Sequence, residues 1–137
     1  MKNNTKKKLQ VLHVIHSFGA GGAELWLLNA VKNLSISNSD MQFDFLVTSG
    51  IPYLFDEEIK KHGAHIYYIK FSFKNLWGFR SEFRKLLQNT KYDVIHDHQD
   101  FVSGWHFFLG LGQLPPVRIS HLHNSYNFVT NYLSNPM

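Results

Sequence analysis

No cysteine occurs among the 137 residues. Disulfide frameworks, thiolate metal sites and cysteine nucleophiles are excluded at once, and the composition suits a reducing compartment. Charge is scarce: 18% of residues are Asp, Glu, Lys or Arg, against 44% hydrophobic and 15% aromatic. Disordered chains show the opposite balance. No apolar run approaches the ~20 residues of a membrane-spanning helix. A broad positive field is lacking too. The formal charge is +4, yet Lys2, Lys6, Lys7 and Lys8 supply four of the fourteen basic side chains, and the remaining ten balance ten acids. No nucleic-acid partner is expected from such a neutral body. The length suits one domain rather than two. Residues 1–8 read as a flexible basic tail and residues 9–137 as the domain.

The lysine-rich start, the run 9–18 and the small residues 19–23 have the outline of a secretory signal. Gln10, His13 and His16 interrupt that run, and signal-peptide cores rarely tolerate three polar groups in ten residues. The same residues read better as a buried strand, because Val11, Leu12, Val14 and Ile15 are strand formers and a glycine-rich turn follows. Strands then alternate with helices. Strands are predicted over 9–16, 43–48, 65–70, 93–96 and 117–122, and helices over 23–34, 54–62, 76–88 and 101–111. The polar stretch 35–40 should break the first helix. Leu76, Phe79, Phe83, Leu86 and Leu87 recur at helical spacing on one face of the third. Gly63 stops the second helix, and Pro115 and Pro116 end the fourth. This alternation implies an α/β fold: a Rossmann-like parallel sheet with helices on both faces. Right-handed crossovers make 3-2-1-4-5 the simplest strand order.

In such a sheet, ligands bind at the carboxyl ends of the strands, where strand order reverses. The first strand runs into Gly19, Gly21 and Gly22; the fourth ends in His96, Asp97, His98, Gln99 and Asp100; the fifth ends in His121, Leu122, His123 and Asn124. Glycines, carboxylates and imidazoles should therefore gather on one rim. The turn reads Gly-Ala-Gly-Gly-Ala-Glu, so Glu24 stands where a dinucleotide fingerprint needs its last glycine. The second strand ends in Thr48, Ser49 and Gly50, without the acidic residue that holds a ribose. Nicotinamide-dinucleotide binding is not expected. Bare glycines ahead of a helix still admit an anion to free N–H groups, or else form a turn that binds nothing.

His96 and His98 are two apart, as are His121 and His123, and such pairs share a strand face. They allow a metal site with Asp97 or Asp100, a base or donor toward sugar and phosphate oxygens, or plain hydrogen-bonded strand ends. No third ligand stands at diagnostic spacing, so no metal is expected. A metal-dependent hydrolase is the weaker alternative. His13, His16, His62, His65 and His106 carry no motif and read as structural or solvent-facing. Between Lys70 and Lys91, six basic residues face the single acid Glu82. Trp77, Arg80 and Arg84 fall opposite the apolar face of the third helix. That face suits an anionic membrane surface or a lipid phosphate, or only solubilises the helix.

The segment Val11-Leu-His-Val-Ile-His16 with Gly19-Ala-Gly-Gly-Ala-Glu24 resembles the start of family-4 glycosyltransferases of the GT-B fold. Tyr92-Asp-Val-Ile-His-Asp-His98 is similar to their fourth strand, and Arg118-Ile-Ser-His-Leu-His-Asn124 to their fifth. The closest flavour is the bacterial exopolysaccharide and capsule group. The resemblance covers roughly residues 8–128. It implies half of a two-domain enzyme that moves sugar from a nucleotide-sugar to an acceptor hydroxyl, retaining configuration, with no metal or other cofactor. Gly21 and Gly22 would let the backbone approach the donor. His123 would lie near the transferred sugar as the catalytic residue, and His98 and Asn124 would line the acceptor side. The implied partners are a glycan or lipid-linked sugar acceptor, a separate donor-binding domain and a peripheral membrane contact. The implied location is cytoplasmic, at the inner face of the membrane. The family's C-terminal donor domain, with its nucleotide pocket and paired glutamates, has no counterpart in 137 residues. A chain truncated in this way is expected to be inactive alone. The alternative is a non-catalytic module binding glycan or lipid phosphate, or an inert remnant.

Overall fold

The structure is a computed structural model and describes residues 6–123. Five strands alternate with four helices: β1 (Leu9–Ile15), α1 (Gly22–Ile36), β2 (Met41–Val47), α2 (Asp56–Lys61), β3 (Ile66–Tyr68), α3 (Leu76–Asn89), β4 (Val94–Asp97), α4 (Val102–Leu109) and β5 (Val117–Ser120). All pairings are parallel, and the order is β3-β2-β1-β4-β5. This is the Rossmann-like α/β sheet expected from the alternation.

Side-chain alternation along β1 divides the core into two layers. Leu12 and Val14 pack with Phe79, Phe83, Leu86 and Leu87 of α3 and Leu109 of α4. Ile15, with Phe45 and Val47 of β2, packs against Leu27, Leu28 and Val31 of α1 and Ile59 of α2. Each fully buried large apolar side chain stabilises the fold by about 1.5–3 kcal/mol relative to exposure. Helices therefore cover both faces around β1 and β2. The second layer takes no residue from β4 or β5, and all four residues of β5 are exposed.

Element ends differ from the expectation in two instructive places. Helix α1 continues through Ser35 to Ile36 and stops where Asn38 turns to φ +47°, a conformation asparagine tolerates. Strand β3 has three residues instead of six. It is an edge strand and pairs with β2 alone. No described helix is long and apolar enough to cross a membrane.

Candidate functional site

Parallel strands bring the ends of β1, β4 and β5 to one rim, and register aligns their histidines. His13 pairs with His96, and His96 pairs with Ile119, two residues before His121. Side chains two apart share a face, so His13, His96, His98, His121 and His123 stand on one side of the sheet. Three form a hydrogen-bonded ladder. His13 Nδ1 lies 3.0 Å from His98 Nε2, and His98 Nδ1 lies 3.3 Å from His123 Nε2. The rings stack within each pair: centroids are 4.0 Å apart for His96 and His98 and 4.2 Å for His121 and His123. The His123 backbone N–H donates to Asp100 Oδ1 at 2.7 Å, which pins the outer rung.

Burial keeps the inner rungs neutral. His98 is 8% exposed, and its pKa falls to about 3, mainly by desolvation and then by repulsion from His96, His123 and His121. His13 is held well below the ordinary histidine value by burial, then by His98 and His96. His96 is lowered for the same leading reason. A neutral imidazole has one donor and one acceptor nitrogen, so each rung fixes the tautomer of the next. Nε2 of His13 and of His96 are buried without a hydrogen-bond partner among the described residues.

Asp97 does not join this cluster. It points to the other face, where Oδ2 meets His106 Nδ1 at 2.6 Å and Oδ1 accepts the Gln99 N–H at 2.9 Å. Asp97 and His106 are both fully buried, and His106 packs against Phe71 and Phe79. The pair ties β4 to α4, so His106, read as structural or solvent-facing, is structural. His13, read in the same way, is the buried foot of the ladder.

The glycine turn precedes α1. Gly21 caps that helix with no side-chain bond, and both glycines are exposed. A Cβ at Gly22 would meet nothing within 4 Å, and neither residue has the positive φ that demands glycine. At Gly21 the added carbon would first meet the flexible carboxylate of Glu24. The fold itself therefore does not require these two glycines.

Sequence reasoning missed a groove at the same rim. It has a volume of about 460 Å³ and is lined by His16, Thr48, Phe71, Phe73, Lys74 and Gln99, among others. Gln99 Nε2 donates to Thr48 Oγ1 at 2.8 Å, joining the ends of β2 and β4. These residues carry no motif; only their position after the strands could have flagged them. Phe73, which lines the groove, meets Trp105 of α4 at 5.5 Å, and Phe101 and Phe108 are exposed nearby in sequence.

On α3, Trp77 is exposed and Arg80 lies over its ring at 5.8 Å. Arg84 is less free than the helical spacing implied, because its guanidinium donates to the Leu111 carbonyl at 2.5 Å. Asn124 lies outside the described residues.

Two curated relatives are similar to the chain. EpsF of Bacillus subtilis (strain 168), named as a glycosyltransferase, is 31% identical over 125 residues, 90% of this chain and 32% of EpsF. CapH of Staphylococcus aureus, named as a capsular polysaccharide biosynthesis glycosyltransferase, is 32% identical over 117 residues, 85% of this chain and 31% of CapH. The chain thus spans about a third of the length of the curated relatives it matches. No family model matches the chain, and no solved structure matches it at a significant level.

Proposed function

We propose that these residues form the acceptor-side half of a retaining, GT-B-type glycosyltransferase of polysaccharide biosynthesis. Similarity to EpsF and CapH over most of the chain supports the activity class. The observation that carries the reading is the rim itself. The glycine turn, the ladder ending at His123 and the groove between Thr48 and Lys74 all lie at the carboxyl ends of the strands.

Glycosyl transfer breaks the bond between the anomeric carbon and the nucleotide diphosphate and forms one to an acceptor oxygen. The acceptor hydroxyl loses its proton in that exchange. In this reading the groove seats the acceptor, with Lys74 near its charged part. Gly21 and Gly22 leave room for the donor at the α1 N-terminus, whose N–H groups favour an anion. His123 hydrogen-bonds the transferred sugar. His98 and His13 position it by holding its ring and tautomer. The charge on the leaving diphosphate needs aimed positive groups, which a donor-binding half supplies, elsewhere in the polypeptide or on a second chain. Residues 1–137 alone are then inactive.

A lipid-linked acceptor gives the aromatic surface a purpose. Phe73, Trp77, Trp105 and Phe108 are exposed, with Phe73 against Trp105, Trp105 against Phe108 and Arg80 over Trp77, aromatic and basic groups of the kind that dock on an anionic bilayer. The test is a transfer assay with a panel of nucleotide-sugars, with and without a donor-binding half. Transfer only in the combined system supports the reading. Glycan or lipid-phosphate binding without transfer in any combination would replace it with a binding module.

A further inference from the structure

The outer end of the histidine ladder has a second chemical use that does not depend on glycosyl transfer. We propose that His98, His121 and His123 form a three-imidazole site for a divalent transition-metal ion such as zinc. One ligand nitrogen from each lies within 4.8 Å of the other two. Two nitrogens on a tetrahedral zinc, each at about 2.0–2.1 Å, are about 3.3 Å apart. His98 Nδ1 and His123 Nε2 are separated by 3.3 Å, long for a hydrogen bond and right for that edge. His121 is exposed and stacked on His123, and a rotation of its side chain brings in the third nitrogen.

The supporting shell is present. A metal-bound histidine usually donates its other N–H to a fixed acceptor. With Nδ1 of His98 on the ion, its Nε2–H donates to His13 Nδ1 at 3.0 Å. The His13 proton then resides on Nε2, the buried nitrogen that has no described hydrogen-bond partner and whose ring packs edge-on to Phe43 at 4.3 Å. The proton that bridges His98 and His123 in the metal-free ladder moves to Nδ1 of His123. All three ligands stay neutral and no proton is released. Imidazole donors without carboxylate favour zinc, copper, nickel or cobalt over magnesium or calcium. The fourth position is left to water. An ion here covers His123, assigned to the transferred sugar, and His98, which positions it, so it blocks that rim instead of serving the transfer.

The test uses the chain without a polyhistidine tag and without any sugar substrate, so its outcome is separate from that of the transfer assay. Zinc is titrated by calorimetry, and cobalt by the visible absorption of a tetrahedral complex. One equivalent is expected, with a tetrahedral cobalt spectrum. His121→Ala and His123→Ala should each weaken binding at least about tenfold, and His13→Phe by about 10–100-fold through the lost second hydrogen bond. His62→Ala, on the surface of α2's end, should change nothing. Circular dichroism of each variant separates lost ligation from lost folding. Well under one equivalent bound, or binding unchanged in folded His121→Ala and His123→Ala, overturns the proposal.

Discussion

Acid should unfold this protein earlier than its carboxylates require, because the fold buries neutral histidines. His13 and His98 both have folded pKa values far below the ordinary 6.5. The fold therefore binds fewer protons than the unfolded chain below that value. Their neutrality supports stability above pH 6.5, and the support is lost progressively as the pH falls from there toward the folded values. With a folded pKa of about 3, His98 costs about 1.4 kcal/mol per pH unit in this window, so pH 5 removes about 2 kcal/mol, and burial of His13 acts in the same direction. Typical stabilities are only about 5–15 kcal/mol, so the effect is large. Urea unfolding at pH 8, 6.5 and 5, with a chelator to keep the imidazoles free, measures it. His13→Phe and His98→Gln should each reduce the acid sensitivity, whatever they do to stability at pH 8. A flat profile from pH 8 to pH 5, or variants with the wild-type slope, would refute the buried neutral ladder.

Other expectations follow from single contacts. Gly22→Ala should raise stability by about 0.4–1 kcal/mol, since the position has room and ordinary φ; Gly22→Leu in a combined enzyme should block transfer while thermal unfolding stays near normal. His106→Leu should cost about 3–5 kcal/mol in denaturant unfolding by leaving Asp97 Oδ2 buried without its partner, and a loss under 1 kcal/mol would show the pair to be dispensable. Trp105→Ser with Phe108→Ser should reduce flotation with anionic vesicles at low salt, and Arg80→Glu should reduce it further. Unchanged flotation would reduce that face to ordinary solvated surface. Arg84→Glu should act mainly on stability, because its guanidinium holds Leu111.

The sheet was legible because each apolar run has a clear period and each break has a cause. Val11 to Ile15 alternates between two buried layers, and α3 carries its apolar face at helical spacing. Strand order followed from handedness. The pairs His96/His98 and His121/His123 could be read as same-face residues. Their meeting across strands could not, since it depends on the register of β4 against β5, and His13 enters only through its register with His96. Spacing along the chain therefore gave two histidines at a time, and the sheet assembles five. Asp97 reads as a neighbour of both His96 and His98 in sequence, yet alternation sends it to the opposite face. The groove between Thr48 and Lys74 was invisible because its residues are ordinary and come from separate strand ends. Helical spacing puts Arg84 opposite the apolar face of α3, but does not show the Leu111 carbonyl that its guanidinium finds.

In the proposed reading, the rim ending at His123 carries glycosyl transfer. Its most direct test is turnover of a combined two-half enzyme carrying His123→Ala, with folding monitored by circular dichroism. The account predicts a folded protein whose transfer falls by at least about 100-fold, the scale of losing a group that acts at the reacting centre. Near-normal turnover in that variant would contradict it.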